Sequence, residues 1–171
     1  MPMVVRVWDV LRFYAYALIQ ILIEPSLFFN RLSEQHTLSR ALVFLGICAV
    51  FNAAACMLTG EVRAGGIVFA NALAMVVLSA LLGYGSMVVL SGKKYELGFV
   101  FSLYAFALGI PLLVSWLPLF FWFAESWKWW LVYKGLRQAC LLSGKHTAIV
   151  LVFSLFIQLW VNLVVIKTVV R

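Results

Sequence analysis

The stretch Leu97–Leu136, LGFVFSLYAFALGIPLLVSWLPLFFWFAESWKWWLVYKGL, runs for 40 residues, and Glu125 and Lys128 are the only charges among its first 36. A transmembrane helix needs about 20 apolar residues, so the stretch is roughly twice one span. Pro111 removes a backbone donor near its middle, and Ser115-Trp-Leu-Pro118 follows with a second proline. The simplest reading is two spans folded back at that corner, the second carrying an acid and a base into the membrane.

Composition agrees. The chain is 65% hydrophobic and 11% charged, with a mean hydropathy of +1.07. Soluble domains average about 45–50% apolar and about 25% charged, so this chain has too little polar surface to cover a water-soluble globule. The net charge of +7 lies mainly in short segments between apolar runs. That is the distribution membrane topology demands, and no nucleic-acid partner is expected. Cys48 and Cys56 stand eight residues apart on one span, about 12 Å along the axis, too far to bridge within it. Cys140 is placed in a cytoplasmic loop, and all three cysteines read as packing residues.

Working outward, Met3–Ile23 contains only 11 uncharged residues between Arg12 and Glu24, too short to span. On a helical wheel Arg6, Asp9, Arg12, Tyr16, Gln20 and Glu24 share one sector, and the remainder is mostly apolar. An amphipathic interfacial helix is expected, with Ala15, Leu18 and Leu22 toward the acyl chains. Packing against a cytosolic partner is the alternative. Pro25 suits the first position of a new short helix with apolar Leu27, Phe28, Phe29 and Leu32.

The fold class expected is an all-α integral membrane protein. Residues 1–40 form cytoplasmic and interfacial helices, and 41–171 form a five-helix transmembrane domain with spans near 41–59, 67–90, 97–114, 119–136 and 147–166. Small residues repeat along the spans and suit close helix contact: Gly46, Ala49, Ala53 and Cys56; Ala72, Ser79 and Gly83; Gly98, Ser102, Ala105 and Gly109. With five spans, nine lysines and arginines (Arg6, Arg12, Arg31, Arg40, Lys93, Lys94, Lys134, Arg137, Lys145) fall on one side. Only Arg63, Lys167 and Arg171 fall on the other. The amino terminus is therefore expected in the cytoplasm and the carboxyl terminus outside. A four-span rival makes Leu97–Ala124 one tilted span of 28 residues, about 42 Å across a core of about 30 Å. It divides the basic residues eight to five, so five spans are preferred.

Glu125 and Lys128, three residues apart, share a helix face and can pair. Charges at a span centre are costly, so pairing, snorkelling or a wet cavity must reduce the penalty. With Asn52, Asn71, Ser154, Gln158 and Asn162 they make a candidate intramembrane polar site. The same residues also suit a self-neutralised pair and interhelical hydrogen bonds that only hold the bundle together. Leu142-Ser-Gly-Lys145 resembles the end of a phosphate loop, but Ala139 and His146 stand where that motif requires Gly and Ser or Thr. His36 and His146 are both in loops, and no Cys/His spacing matches a metal site. No enzymatic activity, cofactor or metal is expected.

Three pieces, in order, resemble the Yip family, named for interaction with Ypt/Rab GTPases, and its bacterial relatives. Leu22-Ile-Glu-Pro25-Ser-Leu-Phe28-Phe29 resembles the family's leucine-x-x-proline-x-x-phenylalanine-phenylalanine opening. Tyr104 followed by Pro111 is similar to its third span. Trp130-Leu-Val-Tyr-Lys-Gly135-Leu136, then Ser143 and Ala148, is similar to the lead into its last span. The match runs over about residues 20 to 166. It implies a helical membrane domain with a cytosolic amino terminus, and eukaryotic relatives act in vesicle traffic through Rab partners and membrane-shaping proteins. Only about 40 residues precede the first span here, so a bacterial cytoplasmic (inner) membrane member is expected and a Rab-type GTPase partner is not.

The function expected is a membrane organiser or adaptor that contacts the lipid bilayer and assembles with copies of itself or other membrane proteins. The alternative is a small transporter or a lipid- or ion-conducting protein that uses the polar site.

Overall fold

A helix that is apolar on every side must be kept from water on every side, by protein or by lipid, and the first half of the decisive stretch is covered by protein. The computed structural model describes residues 3–32, 38–59, 62–92 and 95–169, with side chains described at 12–32, 38–58, 65–89, 92, 95–117, 119–120 and 122–160. Among these are seven α-helices: α1 (Met3–Ile23), α2 (Pro25–Asn30), α3 (Leu38–Thr59), α4 (Val62–Ser91), α5 (Leu97–Leu112), α6 (Phe121–Ala139) and α7 (Gly144–Val169). There is no strand among the described residues. Arg6, Asp9, Arg63, Lys93, Lys94, Asn162, Lys167 and Arg171, named above, have side chains outside the described set, and His36 lies outside the described residues.

α5 is the centre, packed by α3, α4 and α6. Every residue from Ser102 to Pro111 is buried. α4 also lies against α7, and α6 against α2 and α7. The outer helices show the opposite pattern. Leu38–Leu58 and Gly65–Val89 are long and apolar enough to cross a membrane, with mean hydropathies of 2.3 and 2.2. Only 44% and 28% of their apolar windows are buried inside the protein. Val50, Phe51 and Leu58 on α3, and Val152, Phe156 and Trp160 on α7, are exposed. Soluble proteins rarely expose contiguous apolar surface on this scale; a multi-span membrane protein requires it.

The helical ladder of the decisive stretch breaks. Pro111 was expected inside a span reaching residue 114; instead α5 ends one residue after it, at Leu112. The Pro111 carbonyl accepts from the Ser115 amide at 3.0 Å and from the Val114 amide at 3.2 Å, and the Ser115 hydroxyl lies 3.2 Å from the Leu112 carbonyl. Trp116 Nε1 donates to the Leu113 carbonyl at 2.9 Å. A 3-10 turn, Pro118–Phe120, then leads into α6. α4 starts at Val62, five residues before the apolar run at Ile67, because helix propagation does not stop where apolarity does.

The small residues divide. Ala49 and Ala53 are buried, but among the described residues no neighbouring element comes within 4 Å of where a side chain at Gly46 would begin. A methyl at Gly109 would lie 2.9 Å from the Phe44 ring, and one at Gly83 would collide with the Tyr104 phenol. Gly92, at φ +63°, closes α4 in the left-handed region that glycine adopts without a steric penalty. Cys48, Cys56 and Cys140 are not joined in disulfides, and Cys140 is buried at the end of α6 rather than lying in an open loop. The Tyr95 hydroxyl donates to the Cys140 carbonyl, tying the α4–α5 connection to α6.

α1 shows three faces along its described part. Ala17 and Ile21 are buried, and Tyr14 and Leu18 pack beside them. The Tyr14 ring lies 6.2 Å from that of Phe44, and Arg40 sits 5.0 Å over the Phe13 ring. Leu18, expected toward lipid, therefore faces protein. Ala15, Ile19, Leu22 and Ile23 are exposed at i, i+4, i+7 and i+8, a single apolar stripe. Arg12, Tyr16 and Glu24 are exposed on the polar sector, and Gln20 is half-buried there.

Candidate functional site

Two clusters gather the residues that the sequence singles out. The first is a cavity of about 430 Å³ at the end of the bundle where α3 ends, α4 begins and α5 turns into α6. Asn52 reaches it from α3, seven residues before the helix end at Thr59, about 10 Å along the axis. The small side chains of Ala49 and Ala53 let that face approach its neighbours, so Asn52 is buried to 5% exposure. Ser115, held by the Pro111 carbonyl at the corner, donates to Asn52 Oδ1 at 3.3 Å.

α6 supplies the charges. Lys128 Nζ lies 2.5 Å from Glu125 Oε2, one helical turn apart. The Lys128 ammonium also sits 5.3 Å from the centroid of the Trp129 ring, a cation–π contact. Ala124, Glu125, Lys128 and Trp129 form one wall, and Pro111 and Leu112 roof the corner. Opposite stand Asn71 and Met75 of α4 and Gln158 of α7. Gln158 is 5% exposed; the Ser79 hydroxyl donates to its Oε1 at 3.4 Å, and its Nε2 points at Met75 Sδ at 3.7 Å.

Five of the seven expected polar residues thus line one cavity: Asn52, Asn71, Glu125, Lys128 and Gln158. Ser154 does not. It is buried at 1% exposure on α7, outside the lining, and its hydroxyl has no hydrogen-bond partner among the described residues. Asn162 lies outside the described side chains. Ser115 was missed as a site residue although it belongs to the quoted corner; a hydroxyl at the turn of an otherwise apolar hairpin is the signal that could have found it. The cavity offers charge pairing and hydrogen bonding. Among the described residues no three His, Cys, Asp or Glu side chains lie together as a metal site requires.

The second cluster lies toward the other end of the bundle. Pro25 starts α2, which lays Phe28 and Phe29 into the bundle at 2% and 0% exposure. The Phe28 ring stands edge-on to Phe106 of α5 at 5.1 Å, and Phe106 lies tilted against Phe44 of α3 at 5.0 Å. Gly135 of α6 opens the space these rings need: a methyl there would lie 3.3 Å from Phe29 and 3.0 Å from Leu103. Leu136 is fully buried beside it, whereas Trp130 is half-exposed beneath the Lys134 ammonium at 5.6 Å. Tyr104 is buried against Gly83, and its hydroxyl has no hydrogen-bond partner among the described residues. Ser143 caps α7: the His146 amide donates to its Oγ at 3.4 Å, and its carbonyl accepts from Thr147 at 2.9 Å. The Ser143–Gly144–Lys145 segment is therefore a helix start.

A family model described as "Yip1 domain" matches residues 19–166. No curated protein matches the chain. No solved structure matches it either.

Proposed function

This chain belongs to the Yip1 domain family, and from that premise we propose that it organises the membrane by laying α1 in the head-group layer while α3 to α7 anchor it as five spans. Membership carries a membrane location and a non-enzymatic role. The division at residues 40 and 41 between an interfacial part and a spanning domain belongs to the same reading. So do a bacterial cytoplasmic membrane, a cytoplasmic amino terminus, an outer carboxyl terminus, and assembly with copies of itself or other membrane proteins.

The observation that carries the reading is the three-faced α1. One face packs on the bundle, one exposes Ala15, Ile19, Leu22 and Ile23, and one is polar. A helix held by protein on one side, with adjacent apolar and polar faces outward, suits the boundary between acyl chains and head groups. Held there, it occupies area in one leaflet only.

Electron cryo-microscopy of liposomes reconstituted at rising protein-to-lipid ratio tests this. Tubes or small, uniformly curved vesicles are expected, and Ala15→Glu with Ile19→Glu and Leu22→Glu should return them to smooth spheres. Wild-type vesicles indistinguishable from empty ones would sink the reading.

The cavity favours a second reading, a small transporter or a lipid- or ion-conducting protein. Its support is the convergence of Glu125, Lys128, Asn52, Asn71 and Gln158 from four helices. Glu125→Gln should then abolish flux in reconstituted vesicles while leaving the thermal unfolding transition in place; undiminished flux makes Glu125 structural.

A further inference from the structure

The cavity wall carries one acid and one base in contact, so its charge sums to zero. That balance selects among ligands. The Lys128 side chain is 12% exposed and that of Glu125 41%. A cation that captured Glu125 would therefore strand a largely buried Lys128, which is strongly unfavourable, and an anion that captured Lys128 would leave the Glu125 carboxylate at the cavity wall without its partner. A ligand carrying both charges exchanges one internal pair for two and strands neither. The carboxamides of Asn52, Asn71 and Gln158 supply donors and acceptors around the pair, while Met75, Val76, Leu108 and Leu155 supply apolar wall. A volume of about 430 Å³ falls within the roughly 300–1,000 Å³ of small-molecule sites.

The rim names the source. Asn71 and Leu159 line the cavity and are also exposed on the outer surfaces of α4 and α7, the surfaces that carry the apolar mantle. A ligand with acyl chains can seat its head group inside and leave its tails against that mantle.

We propose that the cavity binds the zwitterionic head group of a phospholipid bearing a primary amine, with the ammonium on Glu125 and the phosphate on Lys128. This rests on reading the cavity as a functional polar site. A trimethylammonium head group has no N–H to donate to Glu125 or to the Asn52 carboxamide, and an anionic glycerol head group brings no cation for Glu125. Both should bind more weakly.

Binding of short-chain phosphatidylethanolamine, phosphatidylcholine and phosphatidylglycerol to the purified full-length protein in detergent, read by native mass spectrometry and thermal shift, tests the assignment. Phosphatidylethanolamine should bind on the order of tenfold tighter or more than the other two, the size expected for a hydrogen bond to a charged group. Glu125→Gln should remove that preference. Asn71→Leu, a rim change that leaves the buried wall intact, should weaken it in the same direction. Equal binding of the three lipids by the wild type overturns the proposal without any variant needing to fold. Soluble phosphoethanolamine binding as tightly as the lipid would assign the site to a free zwitterion and overturn the lipid. A preference that survives Glu125→Gln lies elsewhere on the protein and also overturns it. Flux that depends on Glu125 without head-group preference would leave the polar-pathway reading standing while this inference falls.

Discussion

Phe29 packs against the bare backbone of Gly135: a Cβ added at Gly135 would lie 3.3 Å from the Phe29 ring and 3.0 Å from Leu103. Two pieces of sequence more than a hundred residues apart are thereby complementary, one supplying an aromatic ring and the other the space it fills. This is what seats the short helix α2 on α6, and it explains why an aromatic pair and a glycine can be the recognisable parts of the chain without being a reaction centre.

Gly135→Ala should lower the thermal stability of the detergent-solubilised protein by about 1–3 kcal/mol, the usual penalty of overpacking. Phe29→Ala should cost more, about 3–5 kcal/mol. The double variant should cost less than the sum, because Phe29→Ala removes the 3.3 Å contact with the new methyl and leaves only the one to Leu103. Strict additivity in the double-mutant cycle would mean that the two do not act on each other.

Tyr104 and Gly83 make a second such pair with a different weakness. The Tyr104 hydroxyl is fully buried, has no hydrogen-bond partner among the described residues, and is the atom nearest to a methyl placed on Gly83. Tyr104→Phe should therefore be neutral or stabilising, by up to about 1–3 kcal/mol, the cost of an unsatisfied buried polar group. It should also partly rescue Gly83→Ala. A large loss of stability in Tyr104→Phe would show that the hydroxyl has a partner that the bundle alone does not supply.

Alkaline pH should loosen the α4–α5 connection. Burial, and then the neighbouring Cys140, push the Tyr95 phenol above its ordinary value of 10.0. The folded state thus holds this proton more tightly than the unfolded chain. Stability from Tyr95 is complete below the ordinary phenol pKa and is lost as pH rises through the folded-state value. Tyr14 is also raised, by burial against the opposing pull of Arg40. Tyr95→Phe should flatten, but not abolish, the fall in Tm above about pH 10. An identical pH profile would remove Tyr95 from the account.

Sidedness can be read with single cysteines at the two ends of the α5–α6 hairpin. Leu119, 92% exposed, stands at the corner, and Leu141, 76% exposed, stands beyond the far end of α6. In a background without Cys48, Cys56 and Cys140, Leu119→Cys should react with an impermeant maleimide in intact cells, and Leu141→Cys only after permeabilisation. The reverse pattern would invert the proposed orientation.

Much of the helical content was legible because length and apolarity act locally. The corner between α5 and α6, the start of α2 at Pro25 and the absence of a bridge between Cys48 and Cys56 followed from backbone chemistry and spacing. The amphipathic character of α1 was legible too, but not that Leu18 faces protein while Ile19 is exposed, since hydropathy does not distinguish a lipid neighbour from a leucine neighbour. The candidate site was half legible. A charged pair and scattered amides in apolar helices had to lie somewhere costly or somewhere shared, yet nothing local showed that Asn52, Asn71 and Gln158 meet Glu125 while Ser154 does not.

The amino-acid sequence by itself determined that this is an all-helical membrane protein of the Yip1 domain family, because hydropathy, proline placement and motif order are properties of neighbours along the chain. Only the tertiary structure decided which apolar faces are buried, that Phe29 fills the space at Gly135, and that Asn52, Asn71, Ser115, Glu125, Lys128 and Gln158 line one cavity. Those outcomes depend on how helices rotate and approach one another. That rotation is set by small side chains and ring contacts between residues far apart in sequence, where no local pattern records it.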